Sequence, residues 1–332
     1  MARIELPQRR EFHILVVDDD EVSRLLTQEM LGLKRYHVVA ARDAEEALHE
    51  IEVRPPDLIL LDVVMPGRSG IDLCRELKGN DATRLIPVIL VTGLAEKESK
   101  LQGIEAGADD FLNKPVDPQE LFARVKSLLN LKQFTDDLEN AETVLFSLAL
   151  GVEARDPYTE GHCSRLATYA AELGTALGLG EEDVIALRRG GVLHDIGKIA
   201  VPDAILRKPG PLSPEESQIL RLHPVTGEQI CRPLRTLYRV LPIIRHHHEH
   251  WNGRGYPDRL AGEKIPLLAR ILQIVDAYDA LTTHRPYKAA WSHDEAKEIL
   301  LSEARDLWWD PEILATFLYL MDEQVRRKRR AG

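Results

Sequence analysis

Nine of the 12 histidines in this chain lie between His162 and His293, in the company of Asp, Glu and Lys. In the apolar frame VLHDIGKI, His194 and Asp195 stand side by side on what reads as a mostly buried helix. A buried carboxylate without a partner costs several kcal/mol, so the pair asks for a metal or a cationic neighbour. His162, His223, the run His246–His248 and Asp276 join it, each at the end or on one face of a helical segment. That supplies five or six imidazoles and two carboxylates, more than one four-coordinate zinc uses. A two-metal site fits better, with one carboxylate bridging ions about 3.5–4 Å apart. The nitrogen and oxygen donors include no thiolate, which suits Fe, Mn or Zn.

The first half carries other chemistry. Short β-branched runs alternate there with amphipathic stretches. The expected strands are His13–Val17, His37–Ala40, Leu58–Leu61, Pro87–Val91 and Asp110–Asn113. Helical patterns fall near Val22–Leu31, Ala44–Glu52, Gly70–Leu77, Ala95–Ala106 and Pro118–Leu131. The central strands are apolar on both faces, as a parallel sheet covered by helices on both sides requires. Five such β/α units predict a doubly wound, flavodoxin-like α/β fold, with its site at the carboxyl ends of the strands. Those ends carry Asp18, Asp19 and Asp20 after the first strand, Asp62 after the third, Thr92 after the fourth and Lys114 after the fifth. Carboxylates converging on one edge repel each other unless a cation sits among them, and hard oxygen ligands suit Mg²⁺. A hydroxyl and an ammonium opposite them can hold a phosphoryl group.

This half resembles the receiver domain of two-component response regulators. VVDD at 16–19, LLDVVMPGRSG at 60–70, VTG at 91–93 and NKP at 113–115 carry the resemblance over about 120 residues. It implies that Asp62 accepts a phosphoryl group from a sensor histidine kinase, and that Asp18 and Asp19 join Asp62 around Mg²⁺. It also implies phosphoryl contacts from Thr92 and Lys114, with Phe111 as the switch aromatic. In-line metal-assisted transfer needs no further general base.

Residues 118–150 read as one long helical pattern, with Leu121, Val125, Leu128, Leu131, Leu138, Leu145 and Leu148 spaced by three, four or seven. That stripe is either core or a two-stranded coiled-coil seam; we expect a helical connector that also dimerises. Beyond residue 150 strand signals nearly vanish, so an all-α domain is expected. The organisation predicted is a multidomain chain: receiver at 11–130, connector at 131–149 and all-α domain at 150–328, joined by a long helix.

The second half resembles the HD superfamily of metal phosphohydrolases, and within it the HD-GYP family of cyclic di-GMP phosphodiesterases. HDIGK, HP-x-x-G, HHE followed by GYP, and D-x-Y-D-A-L stand in the family order. The resemblance implies metal ligands His162, His194, Asp195, His223, His247, His248 and Asp276, with Asp195 bridging and catalytic. Lys198, one turn on, would face the scissile phosphate. His246 and His250 match no ligand position and are expected at the periphery or on the surface. Cys163 and Asn252 depart from the family pattern at positions that are not ligands. Some relatives place a Glu four residues before the first histidine for a third ion; Tyr158 stands there, so two ions are expected, Fe or Mn ahead of Zn, with Glu153 nearby. For the substrate, Arg285 and Lys288 are expected to hold the distal phosphate, Asp279 to accept a hydrogen bond from a guanine edge, and Tyr256 to stack on a base. The alternative reading of GYP is a docking loop for a GGDEF-domain diguanylate cyclase.

Composition narrows the rest. The net charge is −11 and only 5% of residues are aromatic, which argues against a general nucleic-acid binder. The basic run Arg326–Arg330 reads as a helix end complementing its dipole. Cys74, Cys163 and Cys231 form no CxxC, and no apolar stretch reaches membrane-spanning length, so a cytoplasmic bacterial protein is expected. The expected activity is phosphorylation-regulated hydrolysis of cyclic di-GMP to pGpG, and on to GMP if a second cut follows. The alternatives are a non-catalytic scaffold and a phosphohydrolase for another cyclic dinucleotide. An intact ligand set favours the enzyme.

Overall fold

In the computed structural model, which describes residues 11–93, 97–155, 161–283 and 290–331, five strands form one parallel sheet. They are β1 (His13–Val17), β2 (His37–Ala41), β3 (Leu58–Asp62), β4 (Val88–Thr92) and β5 (Asp110–Asn113), in the order β2-β1-β3-β4-β5. This is the doubly wound order expected. The helices between them are α1 (Glu21–Gly32), α2 (Ala44–Val53), α3 (Gly70–Gly79) and α4 (Lys97–Glu105), followed by α5 (Pro118–Arg155).

Side-chain alternation along each strand divides the core in two. Ile14, Val16, Leu58, Leu60, Ile89 and Val91 pack on one face with Leu121 and Val125 of α5. Leu15, Val17, Ile59, Leu61, Val88 and Leu90 pack on the other with α2 and α3. Both faces being dry explains why the strands read as unbroken apolar runs. Asp20, Asp43 and Ser69 cap α1, α2 and α3 by accepting backbone N–H bonds from Ser23, Glu46 and Asp72. α3 starts so close to the end of β3 that a Cβ on Gly70 would lie 2.0 Å from the Asp62 carbonyl oxygen. Only glycine permits that approach.

The chain divides into two units, Met1–Glu139 and Asn140–Gly332. The division falls inside the stretch expected to connect them, which is a continuous part of α5. The described residues of the second unit form helices alone: α6 (His162–Ala176), α7 (Glu181–Leu193), α8 (Asp203–Leu206), α9 (Pro214–Leu220), α10 (His223–Cys231), α11 (Leu241–His246), α12 (Leu267–Thr282), α13 (His293–Arg305) and α14 (Pro311–Ala331). The all-α expectation holds for them. Short 3₁₀ turns fill some of the connections, one at Ile196–Ala200 directly after the His-Asp pair. Leu166, Leu187, Ile244, Ile274, Val275 and Phe317 belong to the single core of this unit. α12 is buried almost all round, with Ile271, Leu272, Ile274 and Val275 fully enclosed. Such a helix is stiff, and it carries Asp276.

Candidate functional site

In the first unit, Asp18 and Asp62 lie buried at the ends of β1 and β3, with Thr92 at the end of β4. The Lys114 ammonium donates to both carboxylates, at 2.8 Å to Asp18 and 2.8 Å to Asp62. Burial pushes the Asp62 carboxyl up, and Lys114 only partly offsets it. Lys114 is itself raised: burial opposes this, but its bonds to the two acids outweigh it. Asp18, Asp19 and Asp62 can bring one oxygen each within 4.8 Å of the others, the geometry of a small oxygen-ligand cation site. Phe111 is half-buried on β5, its ring so close to α4 that a Cβ on Gly103 would come within 2.6 Å of it.

In the second unit the histidines sit at helix ends. His162 opens α6, His194 follows α7, His223 opens α10 and His247 follows α11. Three of them share one device. His194 Nδ1 lies 3.1 Å from the Gly191 carbonyl, His223 Nδ1 2.8 Å from Leu220 and His247 Nδ1 2.8 Å from Ile244. A carbonyl only accepts, so each Nδ1 carries a proton, which leaves Nε2 as the atom that offers a lone pair in the neutral ring. The same bonds use carbonyls left over where the preceding helical turn ends. His162 is held differently: its Nδ1 lies 2.7 Å from the buried Asp279 carboxylate.

These lone pairs converge in two groups. Asp195, His223, His247 and His248 form one; His162, His194 and Asp276 form the other. Asp195 serves both. Its Oδ1 lies 3.1 Å from His223 Nε2, and its Oδ2 lies 3.3 Å from His194 Nε2 and 2.6 Å from Lys198 Nζ. His162 Nε2 lies 3.4 Å from Asp276 Oδ1. His223 Nε2 and His247 Nε2 face each other at 3.3 Å, two acceptors that repel without a cation between them. His194 Nε2 and Asp195 Oδ1 are buried with no hydrogen-bond partner. Such orphaned groups are costly unless an ion completes them. Burial, then the neighbouring imidazoles, hold His247 and His248 well below the usual histidine range, hence neutral and fit to ligate. Asp195 stays far below the usual carboxylate range: burial works against this, and Lys198 followed by His194 overcomes it.

Glycine again permits the assembly. A Cβ on Gly197 of HDIGK would lie 1.9 Å from the His223 carbonyl oxygen, so α10 could not seat His223 beside Asp195.

A family model for the response regulator receiver domain matches residues 14–126, and one for the HD domain matches residues 149–313. The cyclic di-GMP phosphodiesterase response regulator RpfG of Xanthomonas campestris is 34% identical over 329 residues, 92% of this chain and 87% of that protein. A probable cyclic di-GMP phosphodiesterase of Vibrio cholerae is 36% identical over 353 residues, 96% of this chain and 80% of that protein. A cyclic di-GMP phosphodiesterase of Thermotoga maritima is 32% identical over 340 residues, 93% of this chain and 90% of its own. The chain belongs to the response regulators that carry an HD domain. An HD domain binds divalent metal, and the residues present fit that requirement: converging Nε2 lone pairs, a shared carboxylate and two orphaned buried acceptors.

Within this HD response regulator several residues stand where their spacing suggested, and others do not. Asp279 was expected to meet a guanine edge. It is instead 2% exposed, bound to His162 Nδ1 and clamped by Arg165 at 2.6 and 3.0 Å, so it fixes the His162 ring and is closed to substrate. Tyr256 was expected to stack on a base. Its ring stacks on His248 at 4.8 Å between centroids, with the Arg221 guanidinium 5.0 Å over it. Glu249, absent from the expected set, is fully buried and accepts N–H bonds from Asp258 at 2.7 Å and Leu260 at 3.0 Å, which holds the loop carrying Tyr256. His246 faces Asp258 at 3.5 Å and His250 packs on Trp308 at 4.4 Å, both off the metal clusters. Glu153 accepts the Cys163 N–H at 3.2 Å, fixing the first turn of α6. Arg285, Lys288 and Tyr158 lie outside the described residues. Arg326 pairs with Glu323 near the end of α14, and no described helix is long and apolar enough to cross a membrane.

Proposed function

We propose that this chain hydrolyses cyclic di-GMP to linear pGpG at a two-metal centre, under control of phosphorylation at Asp62. The observation that supports the reading is Asp195, with one oxygen toward each of two groups that together hold the other six expected ligands. His223, His247 and His248 would hold one ion, His162, His194 and Asp276 the other, with Asp195 between; Fe or Mn is favoured over Zn. Divalent ions held there supply charge neutralisation at phosphorus and a water acidic enough to attack it. Lys198 meets Asp195 in the resting site and would turn to the scissile phosphate, offsetting charge as it develops. Imidazoles anchored to backbone carbonyls cannot rotate away, so the centre is organised before substrate enters.

In the receiver, a sensor histidine kinase would donate the phosphoryl group, with Mg²⁺ on Asp18, Asp19 and Asp62. Lys114 already bridges Asp18 and Asp62, and would pass to a phosphoryl oxygen together with Thr92, while Phe111 reports the change. The chain would act in the bacterial cytoplasm as a homodimer, with GGDEF-domain cyclases as further partners. The dimer reading rests on α5. Leu131, Phe134, Leu138, Ala141, Leu145 and Leu148 recur at alternating three- and four-residue steps. Leu131, Phe134, Leu138 and Leu148 are 61, 68, 44 and 44% exposed, as a two-stranded seam would require.

Turnover of cyclic di-GMP by the full chain, with and without beryllofluoride, tests the proposal. Formation of pGpG at a rate that beryllofluoride alters supports it. Binding without turnover would make the chain the scaffold considered above.

A further inference from the structure

A groove of about 900 Å³ opens beside Tyr256, bordered by α9, the residues just after it and the loop at 253–259. Three guanidinium groups line it: Arg221, Arg254 and Arg259. All three are solvent-exposed, and none forms an ion pair among the described residues. In a chain of net charge −11, three arginines around one groove make a local positive patch. Glu215 is the acid on its wall; one of its oxygens accepts from Ser213 Oγ at 2.8 Å, and Ile219 adds an apolar surface. The groove adjoins the metal centre through a short chain of contacts. Arg221 lies over Tyr256, and Tyr256 stacks on His248 of the first ligand group.

We propose that this groove takes a guanine base of the cyclic dinucleotide, with Arg221 as the residue that distinguishes guanine from adenine. The inference rests on the phosphodiesterase reading and names how its substrate is chosen. A guanidinium placed over an aromatic ring, as Arg221 is at 5.0 Å from the Tyr256 centroid, can still offer its N–H edge to a ligand. That edge matches the paired O6 and N7 acceptors of guanine, whereas adenine puts an N6 donor in place of O6 and meets it with repulsion. Glu215 suits the N1–H and N2–H donors on the other side of the same base, a pair that adenine lacks. Arg254 and Arg259 provide charge for the phosphate that is not being cut. A phosphate alone would leave most of such a volume filled with water; a base with its ribose occupies it.

Steady-state kinetics on cyclic di-GMP and cyclic di-AMP, with the metal-loaded full chain, test the assignment. Arg221→Gln is expected to lower kcat/KM for cyclic di-GMP by about 10- to 100-fold, chiefly through KM, because one bidentate base contact discriminates by that much. The ratio of cyclic di-GMP to cyclic di-AMP turnover should fall by the same factor, and Glu215→Gln should lower it in the same direction. Equal loss on both substrates would make Arg221 a charge anchor and overturn the assignment, as would no loss at all. If the wild-type chain turns over neither substrate, the phosphodiesterase reading fails by itself. Equilibrium binding then decides the groove: Arg221→Gln must weaken cyclic di-GMP by that factor and leave the cyclic di-AMP constant where it was.

Discussion

The two units each set buried carboxylates against a lysine, yet they solve the electrostatic problem in different ways. In the receiver, Lys114 reaches both Asp18 and Asp62, so the two acids are paired by one side-chain ammonium. In the HD unit, Lys198 reaches Asp195, but four backbone- or carboxylate-anchored imidazoles around it leave lone pairs and orphaned acceptors that no described side chain completes. The first is a site arranged to exchange partners. The second is a site arranged to keep an ion. A switch needs alternatives of similar energy, whereas a catalytic centre needs one arrangement held stiffly.

The sharpest way to break this contrast is to remove the shared carboxylate and its neighbour. Replacing His194 and Asp195 together by Ala should abolish metal retention and lower turnover by more than about a thousandfold. The receiver should still bind beryllofluoride. Hydrolysis surviving the double change would mean that the chemistry lies elsewhere.

Asp279→Asn asks whether orientation matters as much as ligation. The amide keeps the size of the side chain but weakens the hold on His162 Nδ1 and on Arg165. Metal affinity should fall by about 10- to 100-fold, read by competition with a chelator. A direct substrate role for Asp279 predicts instead a raised KM with metal affinity intact.

Asp62→Asn should remove the response to beryllofluoride while basal hydrolysis persists. It should also stabilise the receiver at neutral pH. Burial raises the folded pKa of Asp62, so the folded state holds the proton more tightly than the unfolded chain does. The penalty is absent in acid, where both states are protonated, and grows as pH climbs through the raised value. Thermal midpoints of the two proteins should therefore coincide at low pH and separate toward pH 7, the variant higher. A wild-type advantage at pH 7 would contradict the assigned sign.

The smallest change to the chemistry comes from the seam on α5. Phe134→Glu or Leu138→Glu should weaken self-association by at least about tenfold, given some 1.5–3 kcal/mol for each large apolar side chain buried. Sedimentation of the variants against the wild type measures it, and an unchanged oligomer would move the interface off α5.

What the sequence revealed follows from the physics of each signal. Strand ends carrying Asp18, Asp62, Thr92 and Lys114 were legible because a parallel sheet fixes where its carboxyl edge must be. The candidate HD ligands were legible because several His and Asp residues recur in the motifs of one family, although a single buried His–Asp pair is a common structural feature. Asp279 was legible as facing the cluster, one turn after Asp276, but not as buried. Its partner Arg165 is 114 residues away, and no local spacing reports such a pairing. Glu249 stood next to His248 in plain view, but its work is to accept backbone N–H bonds from Asp258 and Leu260, which only the folded loop brings near. Arg221 carried no motif; its meaning comes from lying over Tyr256. On α5, spacing alone could not separate core from seam. Burial separates the core part from the rest: Leu121, Val125 and Leu129 are enclosed, while Leu131, Phe134 and Leu138 are exposed.

The metal content of the folded chain tests the central claim most directly. Protein purified without oxygen and analysed by elemental mass spectrometry, in parallel with its turnover of cyclic di-GMP, should carry about two transition-metal ions per chain, with activity rising and falling with the second ion. A chain that hydrolyses cyclic di-GMP at full rate with one ion, or that holds two and produces no pGpG, would contradict an Asp195-bridged catalytic centre.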